Sequence, residues 1–241
     1  MVNTEAWDRI AARRGAARAD GVVRYAPAVA DDSEFRLCGD VDGKRVLDLG
    51  CGSGENAIAF ARAGAHVIGV DRSVAQLHLG RKLADEAEVR VEWHESDAAD
   101  LAFLRADSID LAFAAGVLGE IEDTDRVFRQ VHRVLRPAAA LVFSYDHPMA
   151  LAVGREGGGA GALPFGPLEV RRSYFDPGPV TVVHDDEPIT VFPRTVAEVF
   201  AALHRAGYRV DVIVEAEAVL DAGPGPQVPA LIIWRARKEG V

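Results

Sequence analysis

Two cysteines in 241 residues, Cys38 and Cys51, are too few for a disulfide framework, and no His/Cys spacing suggests a zinc site, so no metal is expected. Positive charge is also scarce. The 27 Lys and Arg stand against 37 Asp and Glu, a formal net charge of −10. A surface that tracks nucleic-acid phosphates needs a clustered excess of Lys and Arg, so nucleic acid is not an expected partner. The arginines at 9, 13, 14, 18 and 24 are accounted for by a solvated helix face. No apolar run reaches the ~18 residues needed to cross a bilayer. The opening, Met1 to Trp7, lacks the basic-then-apolar layout of a signal peptide. No membrane partner is expected, and a reducing cytoplasm suits the free thiols.

What the chain does have is hydrophobic content, 49%, cut into short runs. That suffices for one substantial core, and a single domain over 1–241 is the expectation. From residue 44, short aliphatic runs alternate with segments of helical period, the pattern of βα units around a parallel sheet. Strands are expected at Arg45 to Leu49, His66 to Val70, Arg90 to His94, Ile109 to Ala114 and Ala140 to Tyr145. Two more follow at Tyr208 to Glu215 and Ala230 to Arg235, linked too briefly to be anything but antiparallel. The fold class is therefore α/β, a Rossmann-like, mostly parallel seven-stranded sheet with an antiparallel C-terminal hairpin and helices on both faces. Capping boxes are expected at Ser73-Val74-Ala75-Gln76 and Thr195-Val196-Ala197-Glu198, and helix ends at Gly64 and Gly207.

Four parts result: an N-terminal helical cover at 1–40, a core at 44–145, an insertion after the fifth strand at 146–192, and a C-terminal helix and hairpin at 193–241. Within the insertion, Leu168 to Phe175 and Val180 to His184 flank Asp176-Pro177-Gly178-Pro179, which predicts a hairpin. The glycine-rich loop Gly154 to Gly161 is expected to be mobile.

The chemistry concentrates after the first strand. In Asp48-Leu49-Gly50-Cys51-Gly52-Ser53-Gly54 three alternating glycines let the backbone turn tightly and approach a ligand. Three further points fall along the same sheet edge, where open α/β sheets bind ligands. Asp71, ending the second strand, can accept from two ribose hydroxyls. Asp97, in Ser96-Asp97-Ala98 after the third, can accept from an exocyclic amine. Ala114-Ala115-Gly116-Val117-Leu118, after the fourth, offers small residues and carbonyls to a cationic thioether chain.

With these motifs the chain resembles the class I S-adenosylmethionine-dependent methyltransferases, and among them bacterial small-molecule enzymes. The likeness covers 44–145 and extends to Gly69-Val70-Asp71-Arg72-Ser73, Leu135-Arg136-Pro137 and Asp146-His147-Pro148. It implies S-adenosyl-L-methionine as cofactor, S-adenosyl-L-homocysteine as product and a small-molecule substrate. It also implies roles for Asp48, Gly50, Gly52 and Gly54 in the cofactor loop, Asp71 at the ribose, Asp97 at adenine N6 and Gly116 near the methionine portion. Cys51, Asn56, Arg72, Ala98 and Ala115 flank these as further cofactor contacts. Trp7 and Tyr25 resemble the family's N-terminal cover, which often touches the cofactor. The departure is Pro137-Ala138-Ala139-Ala140, where the family usually turns on Gly-Gly.

Methyl transfer from a sulfonium is a direct displacement, so alignment and exclusion of water carry much of the rate. O- or N-methylation is expected, with His147, at the same edge as the glycine loop, as the group that takes the acceptor's proton. His184 and Tyr174 rank behind it as pocket residues. Two alternatives stay open. A nicotinamide-dependent oxidoreductase would want a glycine where Glu55 stands. A non-catalytic protein could keep the nucleoside site for regulation. Acceptor identity and oligomeric state, monomer or homodimer, stay open as well.

Overall fold

The computed structural model describes residues 2–13, 20–26, 31–153, 157–158, 169–217 and 228–240. In chain order the elements are α1 (Thr4–Arg13), α2 (Asp32–Phe35), β1 (Arg45–Leu49), α3 (Glu55–Arg62), β2 (His66–Asp71), α4 (Val74–Glu86), β3 (Val91–Glu95) and β4 (Ile109–Ala115). A 3-10 turn (Val117–Glu120), α5 (Thr124–Val134), β5 (Leu135–Asp146) and α6 (Pro148–Val153) follow. Next come β6 (Gly157–Gly158), β7 (Val180–His184), β8 (Glu187–Val191), α7 (Val196–Arg205), β9 (Tyr208–Ala216) and β10 (Leu231–Lys238).

Seven strands form one sheet in the order β3-β2-β1-β4-β5-β10-β9. The first five are parallel, and β10 runs antiparallel to both β5 and β9. The chain builds outward from β1 to β3, then returns to the other side of β1 with β4. That reversal opens a crevice at the carboxyl ends of β1 and β4, where such sheets hold ligands.

The strands read as continuous apolar runs because both faces are covered. Leu47, Ile68, Ala112, Leu141 and Phe143 point to one side, where α5 and α7 contribute Phe128, Val131, Val199 and Leu203. Their neighbours Val46, Val67, Leu111 and Val142 point to the other, against Ala57 and Phe60 of α3. The period-two alternation sorts one apolar run into two cores. On the first face Phe143 lies between two stacked neighbours, Tyr145 and Trp234, at 6.1 and 6.0 Å.

Three local expectations are corrected. The hairpin of the insertion does not turn on Asp176 to Pro179. Residues 169–179 are irregular, since Pro177 and Pro179 have no N–H to give a ladder, and Leu168 lies outside the described residues. Instead Val180–His184 pairs with Glu187–Val191 across Asp185-Asp186, both at positive φ (46° and 64°), a two-residue turn of the kind hairpins favour. Gly157–Gly158 adds a short parallel third strand beside β7. The rest of the Gly154 to Gly161 loop lies outside the described residues.

Second, Ser73 caps α4 by accepting from the Gln76 amide at 3.1 Å. The Gln76 side chain does not return the bond, and donates instead to the Trp7 carbonyl of α1. Thr195 and Glu198 form the full reciprocal box at α7. Third, β5 begins five residues earlier than expected, with a register irregularity opposite Ile109 to Leu111. Ala138 sits there at φ 65°, accepting the left-handed geometry that a glycine would take without strain.

Candidate active site

A cavity of about 660 Å³ lies over the carboxyl ends of β1, β2, β4 and β5. That is within the ordinary range for small-molecule sites. Its floor is the glycine loop after β1. Its roof is α1 together with the β7–β8 hairpin. Val182, Ile189 and Val191 pack against Ala6 and Ile10, and Glu187 pairs with Arg9 at 2.8 Å and Arg13 at 2.7 Å. Asn3 completes the joint by exchanging two hydrogen bonds with the Thr190 backbone, at 2.8 and 2.9 Å.

The loop turns on Gly50 and Gly52, at φ 60° and 52°, both in the cavity wall with Cys51. A Cβ at Gly50 would stand 2.5 Å from the Val117 side chain, so only glycine lets the β1 and β4 loops meet. Asp71 fixes the loop from the neighbouring strand. One carboxylate oxygen accepts from Gly52 N at 2.9 Å and the other from Ser73 N at 2.8 Å. Each oxygen keeps a lone pair for a ligand hydroxyl. Burial raises the carboxyl against the pull of these donors. Beneath the loop Asp48 is buried, and its Oδ2 has no hydrogen-bond partner. Desolvation, then the Asp71 charge, push its carboxyl up to about 8.

At the far end, Ser96 and Ala98 face the cavity. Asp97 does not stand in the wall. It pairs with Arg72 and accepts the Ala99 amide at 2.8 Å. Arg72 itself lines the cavity, as do Ala115 and Gly116 after β4. Tyr25 reaches the wall but is chiefly an anchor: its ring packs between Phe35 and Phe113 and its hydroxyl donates to Asp32. Asn56 lines the cavity too, with its amide spent on the backbone of Arg24, at 2.8 and 3.0 Å. Gly54, the third glycine, is absent from the wall. It faces the Trp93 indole, which a Cβ would meet at 2.3 Å.

The acceptor-side expectation is corrected at His147. Its ring is 4% exposed and outside the wall. Nδ1 accepts from Met149 N, and Nε2 lies 3.1 Å from a Glu215 carboxylate oxygen. Both nitrogens are engaged, Nδ1 with the start of α6 and Nε2 with β9. His184 does reach the cavity. Tyr174 does not, and its hydroxyl accepts from Val196 N.

The carboxylate that sequence reasoning missed is Glu120, at the end of the 3-10 turn. It lines the cavity, and its Oε2 accepts from Trp7 Nε1 at 2.8 Å and Asn3 Nδ2 at 2.9 Å, both from the roof. Burial raises it to about 7 despite these two donors. The available signal was position: Glu120 stands two residues beyond the small-residue run Ala114 to Leu118, on the same sheet edge. Tyr145 and Arg194 also line this end. Arg194 bonds the carbonyls of Phe192, Ile121 and Glu122, tying the roof's last loop to the 3-10 turn.

A reversed parallel sheet with an antiparallel C-terminal pair, a glycine loop at its switch point, Asp48 on β1 and Asp71 at the end of β2 carry the resemblance to the class I S-adenosylmethionine-dependent methyltransferases. Residues 46–138 match the methyltransferase domain family. An S-adenosylmethionine-dependent methyltransferase from Mesorhizobium loti has a structure similar to this chain at TM-score 0.69 and 28% identity, over 85% of this chain and 95% of that one. Another from Clostridium acetobutylicum shares the fold over 98% and 97%, at TM-score 0.65 and 14% identity. A ubiquinone biosynthesis O-methyltransferase of Hahella chejuensis is 38% identical over 102 residues, 42% of this chain and 43% of that protein. The chain thus matches less than half the length of that relative.

The site's own residues fit the cofactor of this class. The unpaired, buried Asp48 oxygen suits a cationic amino group, Asp71 has acceptor capacity for two ribose hydroxyls, and the loop backbone is open where a nucleoside must come close.

Proposed function

We propose that this protein transfers a methyl group from S-adenosylmethionine to an oxygen or nitrogen of a small molecule. The observation that carries the reading is the unpartnered Asp48 oxygen, beside Asp71, in the wall of one roofed cavity. The named O-methyltransferase activity of the Hahella relative supports oxygen as the acceptor atom.

The cofactor supplies a methyl group on a sulfonium, open to direct displacement. Asp71 holds the ribose while positioning the Gly52 amide, and Asp48 takes the amino group. Arg72, Ser96 and Ala98 border the adenine end, and Ala115 and Gly116 the methionine end. Within 1–40 and 146–192, α1 and the β7–β8 hairpin act as the cap. Trp7, Val182 and Ile189 exclude water, so that alignment of acceptor and methyl supplies much of the rate.

Isothermal titration tests the cofactor assignment. S-adenosylhomocysteine binds and NAD does not, whereas the reverse overturns the reading. Methylated product from a panel of phenols and amines separates an enzyme from a protein that only binds the nucleoside.

A further inference from the structure

Glu120 is a carboxylate held in place by neutral donors. Trp7 and Asn3 both bond Oε2, which fixes the plane of the group, and neither brings a charge to neutralise it. Oε1 has no hydrogen-bond partner of its own among the described residues. The residue sits on the short turn that starts at Gly116, beneath the roof, with Tyr145 and Arg194 in the same stretch of wall. Charged groups around it are the Asp71 and Asp146 carboxylates, at the ends of β2 and β5, which oppose its ionisation. The Arg194 guanidinium is turned to the carbonyls of Ile121 and Glu122, and the His184 ring packs on Trp7 at 5.1 Å.

We propose that Glu120 is the proton acceptor of the methyl transfer, and that the site therefore takes acceptors that carry a hydrogen on the reacting oxygen or nitrogen. The proposal rests on the methyltransferase reading given above. The acceptor's lone pair forms the bond to the methyl carbon as the sulfur–carbon bond breaks, and that electron pair stays on sulfur. The acceptor's proton passes to Glu120 Oε1 and then to water. Burial brings the carboxyl to about 7, close to the pH at which a base is both ionised and strong enough to act. The roof takes part in this, because each N–H given by Trp7 and Asn3 favours the ionised form.

The test begins with the free protein. Trp7 is one of three tryptophans, and its indole N–H bonds the titrating group. Intrinsic fluorescence should follow a transition near neutral pH that Glu120→Gln abolishes and that Asn3→Ala, which removes a donor, moves upward in pH. A transition that persists unchanged in Glu120→Gln comes from another group and overturns the proposal. The second measurement is turnover of a phenol and an amine panel against pH. The wild-type rate should rise with pH through the same midpoint. Glu120→Gln, whose amide oxygen can still accept from Trp7, should bind S-adenosylhomocysteine within about threefold of wild type. Its turnover should fall about 100-fold, as loss of a general base typically gives. Wild-type turnover in that variant overturns the proposal, and so does a loss of turnover matched by an equal loss of binding, which would make Glu120 only a clamp for the roof. If wild-type protein binds no S-adenosylhomocysteine, the methyltransferase reading falls first and this one with it.

Discussion

The indole of Trp93, on β3, occupies the space that a side chain at position 54 would need. The same ring lies within 3.0 Å of ideal Cβ positions at Gly69 and Gly80, so β2, α4 and the start of α3 all close on one aromatic plate. Gly54 also stands at φ 77° as the residue that begins α3. Gly54→Ala should therefore lose stability twice: about 1–2 kcal/mol from the left-handed backbone and about 1–3 kcal/mol from overpacking against the ring. Trimming the ring with Trp93→Leu relieves the second term only. A double-mutant cycle by urea denaturation should show the two changes coupled by about 1 kcal/mol or more. Additive effects would mean that the ring and the glycine do not meet.

Asp48 predicts a cost of function that is visible in stability. Its carboxyl is raised to about 8 in the folded protein, far above the ~3.9 of an unfolded chain. A raised acid binds more protons folded than unfolded between these values, so its contribution falls as pH rises from about 4 towards 8. Asp48→Asn keeps the shape and removes the charge. At pH 7.5 it should gain about 2 kcal/mol, a discounted figure given ~1.4 kcal/mol per pKa unit, and at pH 5 only about a third of that. The same variant should bind S-adenosylhomocysteine at least tenfold more weakly. Denaturation curves at the two pH values, with titration calorimetry, check both. Equal gains at both pH values would show that the charge is not the cause.

The parallel sheet was legible because strands buried on both faces leave apolar runs too short for anything else, and β1, β2 and β4 fall within a residue of expectation. The position of Asp48 and Asp71 beside the cavity was legible because the glycine loop must follow β1, and the residue ending β2 must stand beside it. What sequence position does not give is the direction of a side chain once the strand has ended. His147 and Glu120 both follow strands at the same edge. His147 turns inward to serve α6, and Glu120 is turned into the cavity by a 3-10 turn that leaves no periodic trace in four residues. The misplaced hairpin has a similar origin. Asp-Pro-Gly-Pro reads as a stronger turn than Asp185-Asp186, yet its prolines deny the flanking residues a ladder, whereas Val182, Ile189 and Val191 have α1 to pack on.

Asp71 couples the shape of the glycine loop to ligand binding. Its two oxygens already accept the Gly52 and Ser73 amides. Asp71→Asn preserves one acceptor and replaces the other by a donor, so one amide contact and one ribose contact are lost together. Affinity for S-adenosylhomocysteine should fall roughly 10- to 100-fold, at about 1.5–3 kcal/mol for a hydrogen bond to a charged group. Affinity within threefold of wild type would remove Asp71 from the ribose site.

His147 should behave as a structural residue. Its ring is buried, Nδ1 accepts the Met149 amide that would otherwise be an unsatisfied donor at the start of α6, and the ring has no place in the cavity wall. His147→Ala leaves that amide without its partner, a loss of about 1–3 kcal/mol. Burial depresses the ring's pKa in the folded state, with the Glu215 carboxylate opposing it. A depressed base binds fewer protons folded than unfolded, so its contribution is present above about pH 6.5 and is lost as pH falls below it. Wild type should therefore lose stability on acidification more steeply than His147→Ala, and the two denaturation midpoints should converge towards pH 5. At pH 8, turnover per folded molecule should match wild type. A large fall in turnover at full stability would return His147 to the chemistry, and would require the ring to leave Met149 and enter the cavity.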